Sequence, residues 1–300
     1  MLQNTFEYVK PNSLGEVLRV LDELRGKKAH VLAGGTDLIP RLRDRSKQAE
    51  YVIDLAGAGL NQLVFEKDQV RIGALVTFAT LCQHPEVRKK VPAIAQAAVK
   101  VGAVQTRTLA TIGGNLCEGV PSNDSAPALL VLDAKFRLQA KGAERLVAAE
   151  QFFVGPRRTL LVPGEILTEI IVPLQNDFKA TFLRFGRRRA MSLSVVSAAA
   201  GVAVRDNREI ATARIALGAV APIPLRAHQA EQVLSGRKIT PEALAEAADV
   251  AATEISPISD MRGSAEFRRS ISAVLVRRAL ENALRQATGP ANEEEHPSHG

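Results

Sequence analysis

Two short glycine loops hold the residues best placed to do chemistry. The first is Ala33-Gly34-Gly35-Thr36-Asp37-Leu38 and the second is Thr111-Ile112-Gly113-Gly114-Asn115. Each sets a glycine pair among small, hydroxyl or amide side chains, and neither contains a lysine. Without a β-carbon, successive backbone N–H groups can approach a phosphate and turn towards it, forming an anion-binding nest at or near a helix start. Two such loops could hold a diphosphate between them. The standard phosphate motifs do not account for them. No G-x-x-x-x-G-K-[ST] occurs, and Gly57-Ala58-Gly59 has Gln62 where the dinucleotide fingerprint needs a third glycine. The competing reading is a pair of ordinary glycine turns.

The surrounding elements must position these loops. Ser13 and Glu16 form a capping box for a first helix whose apolar face is Leu14, Val17, Leu18 and Leu21, ending at Gly26. A buried strand from His30 to Ala33 runs into the first glycine pair, and a helix is expected to start at 37–40, so the order is strand, turn, helix. Tyr51 to Leu55 reads as a strand, and Leu63 to Ala74 as a hairpin turning at Lys67 and Asp68. Helices are expected from Thr77 to about Cys82 and from Pro92 to Gly102. The segment from Gln105 to Asn115, which carries the second glycine pair, reads as neither helix nor strand.

Proline, asparagine and aspartate between Pro173 and Phe178 mark a domain boundary. Beyond it, Ala198–Val204 and Ile215–Val220 alternate like antiparallel strands joined by a turn at Asp206-Asn207. Helices follow near Leu225–Leu234, Pro241–Glu254 and Ala265–Gln286. Residues Gly289 to Gly300 read as a frayed tail.

Composition narrows the function classes. The 300 residues are 46% apolar and 24% charged, as in a globular chain long enough for two domains of about 150 residues each. The net charge of +7 could suggest a polyanionic partner. However, the basic residues form only short groups (Arg41, Arg43 and Arg45; Arg187 to Arg189), and aromatics are 4% with no tryptophan, so nucleic acid is not expected. Cys82 and Cys117 are too few and too far apart for a zinc site or an iron–sulfur cluster. His30, His84, His228, His296 and His299 show no metal-ligand spacing. No basic segment leads into an apolar core at the N-terminus, and no apolar run reaches the roughly 18 residues of a membrane span. A cytoplasmic protein is the expectation.

The spacing of the two loops, with V-L-A-G-G-T-D-L followed some 75 residues later by T-I-G-G-N-L, resembles the FAD-binding medium subunits of the molybdenum hydroxylase family. These are the flavoprotein subunits of carbon monoxide dehydrogenase and xanthine dehydrogenase. Supporting stretches are Val101–Arg107, Pro121–Leu130, Pro163–Leu167 and Arg187–Arg189, so the resemblance spans roughly residues 1 to 287.

This resemblance implies an α+β chain. An FAD-binding fold of the vanillyl-alcohol oxidase or p-cresol methylhydroxylase type would occupy two subdomains, 1–56 and 57–175. A C-terminal domain, 176–288, would combine a three-stranded antiparallel sheet with helices, leaving 289–300 as the tail. Carried over by residue, Val31, Leu32, Ala33, Gly34, Gly35, Thr36, Asp37 and Leu38 would hold the diphosphate together with Thr111, Ile112, Gly113, Gly114 and Asn115. Asp124 would accept hydrogen bonds from ribose hydroxyls, and Val101, Cys117, Ile166 and Leu167 would line the adenine and ring regions. Leu183 stands where some relatives carry a lysine near the flavin, and Ser192-Leu193-Ser194 where many carry Asp-Ile-Ala.

The resemblance further implies an electron relay without catalytic side chains of its own. A large partner subunit would carry molybdopterin and do the hydroxylation. A small partner with two [2Fe-2S] clusters would pass electrons to FAD on this chain. The assembly would be a dimer of heterotrimers, and the final acceptor NAD, oxygen or a quinone. With two cysteines the chain cannot carry the extra four-cysteine cluster of the 4-hydroxybenzoyl-CoA reductase branch. The alternatives are a self-sufficient FAD oxidoreductase with its own substrate pocket and a scaffold that has lost FAD.

Overall fold

A computed structural model describes residues 5–188, 190–205 and 207–288. The tail Gly289–Gly300, Arg189 of the basic run and Asp206 of the expected turn lie outside the described residues.

The N-terminal lobe is a three-stranded parallel sheet with two helices. Its elements are β1 (Glu7–Val9), α1 (Leu14–Glu23), β2 (Ala29–Leu32), α2 (Leu38–Arg43) and β3 (Tyr51–Asp54), with β3 central between β1 and β2. Ser13 caps α1 by accepting from the Glu16 N–H at 3.3 Å. The Glu16 carboxylate returns a bond to Asn12 N–H at 2.7 Å rather than to the cap residue itself. Val17 and Leu21 are buried, with Leu14 and Leu18 beside them, so α1 buries the face its periodicity predicts. Gly26, at φ +82°, lets the chain reverse into β2.

The second lobe opens with the expected hairpin, β4 (Leu63–Phe65) and β5 (Gln69–Gly73), closed by Glu66 N–H to the Gln69 carbonyl. A run of short helices follows: α3 (Phe78–Gln83), α4 (Pro85–Lys90), α5 (Pro92–Ala98), α6 (Val104–Leu109), α7 (Ile112–Glu118) and α8 (Ser125–Val131). Next come β6 (Lys135–Ala140), β7 (Ala143–Ala148), α9 (Ala149–Phe152), β8 (Phe153–Gly155), β9 (Arg158–Thr159) and β10 (Ile166–Pro173). Strands β4-β5-β10-β6-β7 make one five-stranded antiparallel sheet, and the side chains of α3, α5, α7 and α8 form a single core with it.

Two sequence expectations change here. The helix from Pro92 stops at Ala98 rather than reaching Gly102. The segment from Gln105 to Asn115, expected to be irregular, is built from α6 and α7. Thr111 caps α7 by accepting from the Gly114 N–H at 3.1 Å. Gly113 sits against Ala74 so closely that a β-carbon on it would be 2.6 Å from the Ala74 methyl. The helix is therefore held by a cap and by a contact distant in sequence, which outweigh the poor helix propensity of two glycines.

The C-terminal part carries β11 (Phe178–Gly186), β12 (Ser194–Val204), β13 (Ile210–Gly218) and β14 (Leu225–Arg226), then α10 (His228–Leu234), α11 (Pro241–Thr253) and α12 (Ala265–Thr288). The sheet order is β11-β12-β13-β14, all antiparallel: three long strands as expected, plus a two-residue edge strand where a helix beginning at Leu225 was expected. Strand β12 is covered on both faces. Ala199 joins the core of the second lobe while Ala198 and Ala200 join the core made with α11 and α12. Such small side chains let both layers close on the strand. The sheet thus packs directly on α5 and α8, and the loop between β11 and β12 reaches the second lobe: Met191 N–H donates to the Gly102 carbonyl at 3.3 Å.

Candidate functional site

A cleft of about 580 Å³ opens where the three parts meet, within the range of about 300–1,000 Å³ typical of small-molecule sites. One wall is the turn from β2 to α2. The opposite wall is the start of α7, with Val101, Gly102 and the segment around Ile166 and Leu167. Met191, Ser192 and Leu193 from the β11–β12 loop close a third side.

The two glycine loops therefore meet on one cleft and come close together: a β-carbon on Gly114 would lie 3.7 Å from the Ala33 methyl. Their chemistry differs. In the first loop, the backbone N–H groups of Gly34, Gly35, Thr36 and Asp37 donate to no other group among the described residues. Gly34, Gly35 and Thr36 are half-buried and Asp37 is exposed, so these four donors border the cleft at a turn of the kind that can form an anion nest. In the second loop the donors are already used. Ile112 N–H bonds Val76 O, Gly113 N–H bonds Ala74 O, Gly114 N–H bonds the Thr111 hydroxyl oxygen and Asn115 N–H bonds Thr111 O. The second loop thus offers side chains and shape rather than a second nest.

The glycines themselves answer to three demands. Gly34 and Gly113 are fixed by close backbone approach, to Leu109 and Ala74 respectively. Gly35 is fixed by its φ of +71°. Gly114 is exposed on the cleft side.

Charges of both signs line the cleft, with Asp37, Glu118 and Glu165 beside the basic residues. His30, Arg41 and Lys47 line the cleft. His30 donates from Nε2 to the Gln48 carbonyl at 2.9 Å, and burial lowers its pKa, with Lys47 and Arg41 adding to that. Burial likewise lowers the Lys47 pKa, helped by Arg41 and Arg157. Arg41 pairs with Glu118 at 2.8 Å, and Arg157 binds the same Glu118 oxygen. At the far wall, Glu165 is gripped by Arg145 through two bonds of 2.7 and 2.8 Å, which hold it below the usual carboxylate range. Arg145 also donates to Leu160 O, so this clamp fixes the chain entering Ile166 and Leu167. Beside them burial pushes the Cys117 thiol up to about 12, against a bond with the Leu167 backbone that favours the thiolate.

Of the residues singled out in the sequence, Val31, Ala33, Gly34, Gly35, Thr36, Asp37, Leu38, Val101, Thr111, Gly113, Gly114, Asn115, Cys117, Ile166 and Leu167 line the cleft. Four do not. Leu32 packs with Phe6, Leu38 and Leu42 beneath the first loop, and Ile112 is fully buried in the core of the second lobe. Leu183 packs towards the helices of the C-terminal part. Asp124 is buried away from the cleft, with one carboxylate oxygen accepting from Arg184 Nη1 at 2.8 Å and the other from the Ser194 hydroxyl. Both its oxygens are engaged within the protein, where they tie the second lobe to the C-terminal sheet. Sequence reasoning missed His30, Arg41, Lys47 and Met191 as wall residues. The one available signal was the alternating arginines after the first loop.

Comparison with known proteins agrees with this architecture. Residues 4–175 match the family described as the FAD binding domain in molybdopterin dehydrogenase, and residues 181–283 the CO dehydrogenase flavoprotein C-terminal domain. The carbon monoxide dehydrogenase medium chain of Hydrogenophaga pseudoflava is 33% identical over 285 residues, covering 94% of this chain and 98% of the relative. This chain belongs to the family of FAD-binding flavoprotein subunits of molybdopterin dehydrogenases. Another relative is the nicotine 6-hydroxylase medium subunit of Paenarthrobacter nicotinovorans, 32% identical over 277 residues, 92% of this chain and 96% of that one. Among solved structures, carbon monoxide dehydrogenase from Hydrogenophaga pseudoflava lacking the Mo-pyranopterin moiety of its molybdenum cofactor matches with a TM-score of 0.91 at 33% identity, over 95% of this chain and 99% of that one. As in the resemblance drawn above, the flavoprotein subunit combines an FAD-binding unit and a C-terminal sheet-and-helix unit. Among the described residues, this flavoprotein subunit has no helix long and apolar enough to cross a membrane and no group of three or more His, Cys, Asp or Glu residues placed to hold a metal.

Proposed function

We propose that the cleft holds one FAD and that this chain relays electrons from the iron–sulfur clusters of a small partner subunit to an external acceptor. The observation that carries this reading is the run of free N–H groups at Gly34–Asp37 on the wall of a cleft of about 580 Å³. FAD suits a relay because it can take up electrons singly and deliver two together. The nest would bind the diphosphate, with Arg41 and Lys47 adding positive charge. Thr111 and Asn115 would contact it from the opposite wall. Val101, Cys117, Ile166 and Leu167 would exclude water from the apolar parts of the ligand. In this reading residues 1–56 and 57–175 are the two halves that close on the cofactor, and 176–288 supplies the third side.

Three ionisable groups of the cleft wall fit a relay rather than a self-sufficient oxidoreductase. Glu118 and Glu165 are committed to arginines, and Cys117 keeps its proton, so they offer no poised acid or base. Hydroxylation would take place in a large molybdopterin subunit. Relatives named for carbon monoxide and for nicotine match this chain almost equally, which supports a substrate chosen elsewhere. The chain would then work in the cytoplasm as part of a dimer of heterotrimers, with NAD, oxygen or a quinone as acceptor.

The test is co-purification from the native host. The expected result is a yellow complex with one FAD per copy of this chain, accompanied by a molybdopterin chain and a two-cluster chain. A yellow lone chain that turns over substrate would establish the self-sufficient enzyme, and a colourless one the scaffold.

A further inference from the structure

A second cavity, of about 300 Å³, lies between the loop after β13, the loop before α8 with Pro156, the turn from α11 to α12 and the end of the β11–β12 loop. Much of its wall is apolar, including Pro121, Leu193, Pro222 and Ile258. Arg268, 3% exposed, also lines it. Its Nη1 donates to Val195 O at 2.6 Å and Ala219 O at 3.0 Å, and its Nη2 to Asp260 at 2.7 Å. Its Nε–H is buried and has no partner. Leaving such a donor unpaired costs about 1–3 kcal/mol, more when it is charged.

The local charge does not balance either. Asp260 is shared between Arg268 and Arg262, the latter at 3.2 Å, while the nearby Arg184 is matched by Asp124. Two guanidinium groups against one carboxylate leave a surplus of one positive charge. Ala219, whose carbonyl is fixed by Arg268, holds φ at +65°, a strained value for a residue with a β-carbon. Strain of this kind persists where surrounding structure over-determines it, commonly at ligand sites. A water in the cavity would leave both the charge and the apolar walls unmatched.

We propose that this cavity binds a small organic carboxylate from solution, with its apolar body against the prolines and Ile258 and its carboxylate at Arg268 and Arg262. The proposal is independent of what fills the main cleft, although Leu193 lines both.

The test uses the full-length chain labelled with ¹⁵N and benzoate as the probe, with sodium chloride at matched ionic strength as the control. The readout is the Arg268 Nε–H resonance, assigned through correlations to the side-chain protons of Arg268 itself. A saturable downfield shift with benzoate alone is expected. Arg262→Gln should weaken binding about tenfold, as for loss of one charge-assisted partner. Ala221→Phe, at a partly exposed wall position, should abolish it by filling the space. A resonance that does not move, that moves equally with chloride, or whose benzoate response survives both substitutions would overturn the proposal.

Discussion

A β-carbon placed on Gly34 would stand 1.9 Å from the carbonyl oxygen of Leu109, which makes this glycine the point where the first loop presses on the end of α6. The obstacle is backbone, so nothing can swing aside. Gly34→Ala should therefore destabilise the chain by about 1–3 kcal/mol, the usual range for overpacking, and reduce FAD retained per chain. Gly114→Ala meets the Thr111 hydroxyl at 3.0 Å and the Ala33 methyl at an ordinary 3.7 Å, and should cost less. Equilibrium denaturation of the two variants tests the order, and equal losses would contradict the contact.

Gly35 is constrained differently, by its φ of +71°. Alanine there should lose about 1–2 kcal/mol from the left-handed conformation, with 3.1 Å contacts to the Leu32 and Ile39 side chains adding to it. Asparagine tolerates this conformation better than other non-glycine residues, so its conformational cost should be smaller than that of alanine. Its larger side chain must still fit the same contacts. Flavin affinity should fall in the same order if the nest needs this turn, and a flat response across the series would separate the turn from cofactor binding.

The buried pair of Asp124 and Arg184 predicts a non-additive outcome. Burial pushes the Asp124 carboxyl up, while Ser194, Arg184 and Lys100 oppose that push. Asp124→Ala alone should cost about 3–5 kcal/mol by stranding Arg184, whereas an apolar pair at both positions should recover much of it. A double-mutant cycle on denaturation free energies checks this. Additive losses would mean that the tie between the second lobe and the sheet is unimportant.

These residues show why the sequence was legible in parts. Helix α1, the β4–β5 hairpin, α11 and α12 follow from local periodicity and caps, and the structure keeps them within a few residues. Helix α6 buries no residue, so it has no apolar stripe to find, and α7 depends on a contact with Ala74 that no local pattern announces. Asp124 sits in an Asn-Asp-Ser stretch that reads as a loop. Its partner is 60 residues away on β11, so its role could not be inferred from its neighbours. The first loop's free N–H groups were foreshadowed by its glycine placement. The second was not distinguishable from it, since the acceptors that occupy its donors come from Val76, Ala74 and Thr111.

His228 joins the second lobe to the C-terminal part through Glu150, 2.5 Å from Nε2, and lies 3.4 Å from Glu231, which is itself paired with Arg226. The bond with Glu150 raises its pKa above the ordinary histidine value, against some desolvation. A raised folded value means that the stabilisation is fully present below the unfolded pKa, near 6.5, and is lost as pH rises through the folded one. Both side chains are about half exposed, so the effect should be below about 1 kcal/mol. Denaturation midpoints measured on either side of that window should fall with rising pH in the wild type more than in His228→Gln.

Cys117 gives a prediction with a chemical readout. Its thiol lines the cleft, yet burial keeps it protonated up to about 12, and the thiolate is the form that reacts. At neutral pH only a minute fraction is ionised, so Cys117 should resist iodoacetamide in the folded chain and become labelled at the rate of an ordinary thiol once the chain is unfolded. Mass spectrometry of peptides containing position 117 follows both rates. Since the protection comes from desolvation by the protein itself, it should persist after FAD is stripped. Rapid labelling of the folded, flavin-free chain would show that the wall around Leu167 opens, and that the apolar side of the cleft is not built in advance of its ligand.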